Sequence, residues 1–258
     1  MSSSIRPGLG EHCGDYGIDG GRTAVAGLVA MGATGLVLVC LALIHARSDR
    51  ILLAIFELLS GLVLLQTIPS YLYSTRRGKF AVWAELLDGL PLRGDEHVLD
   101  MGCGRGAILS MLAKMLPRGR AVGLDLWRSE DQSGNSPEAT WRNLDAECVR
   151  NRCELVTADM RAVPLADSTF DLVVSSLTIH NIEGHQGRSQ AVDEAVRVLK
   201  PGGRLLIADL MWTKAYAKRL RELGMENVVE QHLDWRFCYG ALGMATGLVT
   251  ATKQTDLK

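Results

Sequence analysis

The chain has 258 residues, 47% of them hydrophobic and few aromatic, with a formal net charge of -1. That length fits one domain plus an appendage, and a near-neutral charge without a long basic run excludes the electrostatic footprint of a nucleic-acid binder. The six cysteines (13, 40, 103, 148, 153 and 238) include no C-x-x-C pair, which argues against a disulfide framework or structural zinc and suits a reducing compartment.

In chain order, residues 1–22 are rich in Ser and Gly, lack apolar periodicity and read as a mobile tail. Val25 to Ile44 then runs twenty residues without a charge, about enough to cross a ~30 Å hydrocarbon core. Ala26, Ala30 and Thr34 fall on one face, a small-residue seam suited to close helix packing. After the polar break His45–Arg50, a second apolar segment runs from Ile51 to about Ile68 and ends at Pro69. Its Glu57 costs roughly 2.5–3.5 kcal/mol at a bilayer centre. Its twelve Leu, Ile, Val and Phe residues return about 0.3–0.6 kcal/mol each, so insertion wins. Residues 23–73 are therefore expected to form a transmembrane helical hairpin, with helices at about 23–46 and 51–70, and residues 74–258 a separate domain facing the cytoplasm. Arg47 and Arg50 at the hairpin tip run against the positive-inside tendency, which leaves open a single span with the second segment along the interface. Tyr71 and Tyr73 with Arg76, Arg77 and Lys79 beyond them suit a cytoplasmic membrane edge, and Trp83, Leu86, Leu87 and Leu90 mark one face of a short amphipathic helix.

His97 to Gly106 (H-V-L-D-M-G-C-G-R-G) reads as a buried strand, a glycine turn and the start of a helix over Ala107–Leu116. Such a turn lets a ligand approach the backbone and the helix N-terminus. Asp100 would repel a pyrophosphate there and attract a ligand bearing ammonium and sulfonium charges. Further stations follow: strand Arg120–Asp125 ending in an acid, strand Cys153–Ala158 followed by Asp159 and Met160, Pro164 to Asp171 as P-x-x-x-x-x-F-D before strand Leu172–Ser176, and L-K-P-G-G (Leu199–Gly203) before strand Arg204–Leu210. Ser136 and Pro137 mark a capped helix start, Thr213 a cap for a basic helix ending at Gly224, and Val228–Leu233 and Leu248–Thr252 two last strands.

From about Phe80 to Thr252 the sequence resembles the class I S-adenosylmethionine-dependent methyltransferases of small-molecule or lipid type, whose first motif is hydrophobic-x-D-x-G-x-G-x-G. The resemblance implies an α/β fold, a doubly wound, seven-stranded, mostly parallel Rossmann-like sheet, here carried on the hairpin. It implies S-adenosyl-L-methionine as cofactor, held by Tyr73, Asp100, Gly102, Cys103, Gly104, Asp125, Leu126, Asp159, Met160 and Ser176, with no metal. Asp125 would accept the ribose hydroxyls, Asp159 would meet the adenine amino group, and Trp127 would lie beside the adenosine or serve as a surface anchor. His180 follows strand four at the end where open parallel sheets bind ligands, so it is a candidate general base, or simply a pocket wall. The acceptor implied is a small lipophilic molecule at the bilayer, with the oligomeric state open. A membrane-protein methyltransferase, a nicotinamide oxidoreductase sharing the glycine turn and Asp125, and a silent cofactor-binding scaffold remain alternatives.

Overall fold

The computed structural model describes residue 6, residues 8–240 and residues 245–255. Two helices come first, α1 (Gly21–Ala46) and α2 (Ile51–Tyr73), joined by a short polar loop. Each is long and apolar enough to cross a membrane. Their outer faces carry uncovered apolar side chains, with Leu52 85% exposed and Phe56 and Val29 68%. They pack antiparallel through Gly35 and Gly61: a Cβ on Gly61 would come within 2.8 Å of the Gly35 carbonyl. The buried stripe on α1 is thus Gly35 and Ala42, facing Ala54 and Gly61. The expected seam of Ala26, Ala30 and Thr34 faces outward instead, because one residue of offset turns a helix face by about 100°. Glu57 is not left alone in this apolar setting, since His45 Nδ1 lies 2.8 Å from its carboxylate.

Pro69 does not end the second helix. It lies inside α2, which continues through a π-helical turn at Ser74–Gly78 into α3 (Lys79–Asp88). Proline removes one backbone donor and crowds the preceding turn, but α2 is braced there by α1, with Ile68 reaching Gly32. The wider π turn is in turn fastened to the catalytic domain, where the Ser74 hydroxyl donates to the Cys238 carbonyl at 2.6 Å. The expected boundary between residues 73 and 74 is therefore crossed by one continuous helical run, Ile51–Asp88.

Seven strands follow: β1 (His97–Met101), β2 (Arg120–Asp125), β3 (Cys153–Thr157), β4 (Phe170–Ser176), β5 (Leu199–Asp209), β6 (Glu226–His232) and β7 (Gly247–Thr252). Their order is β3-β2-β1-β4-β5-β7-β6. β1 to β5 pair in parallel, and β7 runs antiparallel to both β5 and β6. The central strands are buried on both faces, which is why they read as near-continuous apolar runs. One face is covered by α3, α4 (Ala107–Met115) and α5 (Pro137–Ala146). The other is covered by α6 (Gly184–Val198) and α7 (Thr213–Glu222). The Leu199–Gly203 segment is not a free turn before β5. Leu199 already pairs with Phe170, and the register slips before Arg204 meets Leu172, so Pro201-Gly202-Gly203 bulges out of a longer strand. Ser136 caps α5 as expected, its hydroxyl accepting from the Ala139 N–H at 3.1 Å. Thr213 does not cap α7. It is the first helical residue, and its hydroxyl donates to Glu230 at 2.9 Å.

The N-terminal segment departs most from expectation. In place of a mobile tail, residues 8–20 form a strap bound to the domain, with Leu9 and Tyr16 buried. Glu147 accepts the backbone N–H groups of Cys13 and Gly14 at 2.7 and 2.8 Å and pairs with Lys114 at 2.8 Å. Asp19 holds Lys79 at 2.7 Å, Tyr239 at 2.6 Å and Thr75 at 2.7 Å. Few apolar side chains are needed for such an attachment, because charge-assisted hydrogen bonds to buried acids do the holding.

Candidate active site

The strand order reverses between β1 and β4, the place in an open α/β sheet where ligands settle beyond the carboxyl ends of the strands. A cavity of about 820 Å³ opens there. Its floor is the turn after β1. Gly102 and Gly104 have φ of 77° and 50°, and a Cβ at Gly102 would strike Thr178 while one at Gly104 would strike Gln132. Glycine is thus required both for the backbone conformation and for the closeness of the two flanking loops.

Asp100 is the penultimate residue of β1, beneath this turn. It is 1% exposed, and neither carboxylate oxygen has a hydrogen-bond partner at bonding geometry. Burial, reinforced by the charge of Asp125 and only weakly opposed by the Leu109 N–H, pushes its pKa up to about 8. A buried carboxylate without a partner on a cavity wall favours a cationic group beside it. This fits the ammonium-bearing end of S-adenosylmethionine. Beside it, burial raises the Cys103 thiol well above its usual range, so it remains a neutral wall.

Asp125, at the end of β2, is held on three sides. Its Oδ2 accepts the Gly104 N–H at 2.8 Å, and its Oδ1 accepts the Trp127 N–H at 2.6 Å and the Asn135 amide at 3.2 Å. Oδ2 keeps one open lone pair, and the Asn135 contact is the longest of the three. A ribose diol therefore fits with the exchange of a single weak bond. Leu126 and Met160 border the same cavity. Asp159 also lines it, but its carboxylate is forked by Arg161 at 2.6 to 3.0 Å, which holds it below the usual carboxylate range. Any adenine contact there competes with a guanidinium. Ser176 ends β4 on the cavity wall, with its hydroxyl accepting from the buried Trp83 indole at 3.0 Å, so α3 is tied to the site.

Two expected positions lie elsewhere. Tyr73 is outside the cavity, stacked on Trp235 with ring centroids 5.4 Å apart. Tyr71 lines the cavity in its place, because two residues along a continuous helix point to nearly opposite faces. Trp127 does not line the cavity either, and its indole donates to Thr157 at 2.8 Å.

His180 borders the cavity from a 3₁₀ turn, Ile179–Asn181, after β4. The chain reaches it through Leu177, whose φ of 57° is a strained conformation for a leucine. Its Nδ1 hydrogen-bonds Asp209, and its own N–H donates to the same carboxylate at 3.0 Å. Asp209, at the end of β5, was missed by sequence reasoning. The signal was present: like Asp100 and Asp125, it is an acid closing an apolar strand. The roof also went unseen. Gly20 donates to the Asp131 carbonyl at 2.8 Å, and Gln132 joins Tyr16 to the Arg105 N–H. The strap and the loop between β2 and α5 thereby close over the cavity. Among the described residues there is no His, Cys, Asp or Glu group that could hold a metal.

Comparison with known proteins agrees with this geometry. Residues 99–207 match the family described as a methyltransferase domain. A ubiquinone/menaquinone biosynthesis C-methyltransferase from Roseobacter denitrificans is 34% identical over 133 residues, 51% of this chain and 50% of that protein. A sterol 4-C-methyltransferase from Caenorhabditis elegans is 31% identical over 137 residues, 53% of this chain and 38% of that protein. The chain thus spans half or less of the length of these curated relatives. A solved S-adenosylmethionine-dependent methyltransferase from Aquifex aeolicus superposes with a TM-score of 0.51 at 20% identity, covering 66% of this chain and 88% of that one, which shows the fold. Residues 99–207 are thus similar to methyltransferase domains, and the sheet has the fold of a solved S-adenosylmethionine-dependent methyltransferase.

Proposed function

We propose that the protein transfers the methyl group of S-adenosylmethionine to a small lipophilic acceptor at a membrane surface, with α1 and α2 as its membrane anchor and the catalytic domain on the cytoplasmic side. One observation carries this reading. The cavity that holds Asp100, Asp125 and His180 is also lined by Gly20 and Thr23, at the start of α1, and by Tyr71, near the end of α2. The roots of the apolar hairpin are therefore walls of the reaction chamber. An acceptor lying in the bilayer would meet the pocket where the hairpin enters it. The quinone- and sterol-directed activities named for the relatives concern lipophilic acceptors, which is consistent with this choice.

When bound, S-adenosylmethionine supplies an electrophilic methyl group on a sulfonium. Asp100 would take the cationic amino-acid end, Asp125 the ribose diol, and the Gly102–Gly104 turn would admit the cofactor against the backbone. His180, beyond β4, accepts the proton that the acceptor atom loses as its new bond to carbon forms. The strap and the loop between β2 and α5 exclude water from above. Alignment contributes much of the rate in such a displacement, so a moderate base suffices.

The test is transfer from methyl-labelled S-adenosylmethionine into native membranes, followed by separation of lipid extract from protein. Label in the lipid extract, with a mass gain of one methylene, supports the proposal. Label confined to protein overturns the lipid acceptor. Tight cofactor binding without label in either fraction overturns the enzymatic reading. The anchor is tested separately by replacing Arg22–Leu72 with a short Gly/Ser linker, feasible because the Asp19 N–H already reaches the Thr75 hydroxyl at 3.1 Å. That variant should leave the carbonate-washed membrane fraction and keep the folded sheet domain, read as cooperative unfolding in urea. Retention in the membranes would place the attachment elsewhere.

A further inference from the structure

We propose that Asp209 is a positioning residue that fixes His180 as its Nδ1-protonated tautomer and so leaves the Nε2 lone pair as the open acceptor of the site. The proposal rests on reading His180 as the base. Asp209 is fully buried at the end of β5. Its two oxygens are met by the backbone N–H of His180 at 3.0 Å, the backbone N–H of Leu210 at 2.9 Å, the hydroxyl of Tyr216 at 3.1 Å and Nδ1 of His180.

The two backbone groups can only donate, and an ionised carboxylate can only accept. Burial and the charge of Asp209 push the Tyr216 phenol far above its usual range, so this group too remains an O–H donor. A carboxylate already receiving three protons has no hydrogen to offer the imidazole, so the proton in the fourth contact sits on Nδ1. In the neutral ring Nε2 is then the unprotonated nitrogen. Among the described residues Nε2 has no hydrogen-bond partner, and the side chain, 15% exposed, borders the cavity.

A purely structural acid would need only the backbone bond that pins the 3₁₀ turn Ile179–Asn181. Here one carboxylate holds both the turn and the ring, from a neighbouring strand, with Tyr216 of α7 bracing its far side. Other charged groups near the pair are Asp131, which senses His180 from the loop before α5, and Arg188 of α6, which senses Tyr216.

The direct test needs no acceptor. With ¹⁵N-labelled histidine in the full chain, and the His180 signals assigned by their loss in His180→Asn, the neutral ring should carry its proton on Nδ1. A proton on Nε2 overturns the proposal. In Asp209→Asn the amide cannot receive all four donors, so Nδ1 should lose its proton in part or entirely. An unchanged tautomer there also overturns it. Methyl transfer into lipid extract gives the second readout. Asp209→Asn should lower turnover by about 10²-fold or more at nearly unchanged cofactor affinity, and should add no further loss in the His180→Asn background, as groups acting through one another do. Full additivity of the two losses means that Asp209 acts only on the fold and overturns the proposal. Near-normal turnover in His180→Asn alone would instead sink the base reading, while the tautomer still decides the role of Asp209.

Discussion

Asp100 and Asp209 are both aspartates closing a central strand, both almost completely buried, and both border or back the same cavity. Their surroundings are opposite. Asp100 has no hydrogen-bond partner, and burial drives its pKa to about 8. Asp209 is met by three donors and by Nδ1 of His180. A saturated buried acid organises protein, whereas an orphaned one stores an unmet demand that only an incoming group can satisfy. The same residue type at the carboxyl ends of two strands thus separates into an acid that organises the turn carrying His180 and an acid left open to the cavity.

The largest effect that would break this division is at the base. His180→Ala should cut turnover by about 10²–10⁴-fold with little change in S-adenosylmethionine affinity, because the ring meets acceptor and not nucleoside. An equal loss of cofactor affinity by calorimetry would place His180 on the receptor side. Next comes Asp125→Ala, expected to weaken cofactor binding at least tenfold at unchanged fold, since charge-assisted hydrogen bonds contribute about 1.5–3 kcal/mol each.

Asp100→Asn should weaken cofactor binding about tenfold yet raise the Tm of the cofactor-free protein by a few degrees, at about 2–4 °C per kcal/mol for a chain of this size. The pH dependence follows from the same group. Its carboxyl is raised in the folded, cofactor-free protein, so the folded state binds more protons than the unfolded one between the ordinary carboxylate range and about pH 8. Cofactor-free stability should fall across that window, while cofactor affinity should climb as pH rises toward 8. Asp100→Asn should flatten both slopes, and slopes that persist would assign them to another group.

The smallest effect is at Glu147, a third buried acid. Burial pushes it up, but the Lys114 bond and the Gly14 and Cys13 N–H groups outweigh burial and hold its carboxyl below the usual range. Its contribution is therefore complete at neutral pH and lost as pH falls through that lowered value. Glu147→Gln should cost about 1–2 kcal/mol by urea unfolding and loosen the strap, read as faster hydrogen exchange at Cys13 and Gly14.

Much of the sheet and of the cavity floor was legible because it is local. Apolar strands with an acid at or just beyond their carboxyl ends, Asp100, Asp125 and Asp159, and the glycines between Asp100 and Ala107, keep their meaning within a few residues. What was illegible is long-range. The strap looks unstructured because its bonds run to Glu147 and Lys79, far along the chain. Asp209 and His180 are 29 residues apart and meet only because β4 and β5 are neighbours. Tyr71 and Tyr73 follow a Pro69 that reads as a helix end, so the sequence does not tell which of the two faces the cavity. Without that break, helical phase decides, and phase is invisible until continuity is known.

The unbroken run Ile51–Asp88 has a mechanical consequence. Its 38 residues extend about 57 Å at helical rise, nearly twice the ~30 Å hydrocarbon core of a bilayer. If the hairpin is inserted, the excess is the stretch already packed in the sheet domain, from Tyr71 at the cavity wall to the buried Trp83 and Leu87. On that reading the chamber would stand at one fixed height and bearing at the lipid surface and would explore that surface in two dimensions. Choice of acceptor would then be set by reach before chemistry: a methyl-accepting atom would have to lie at the depth of the chamber mouth.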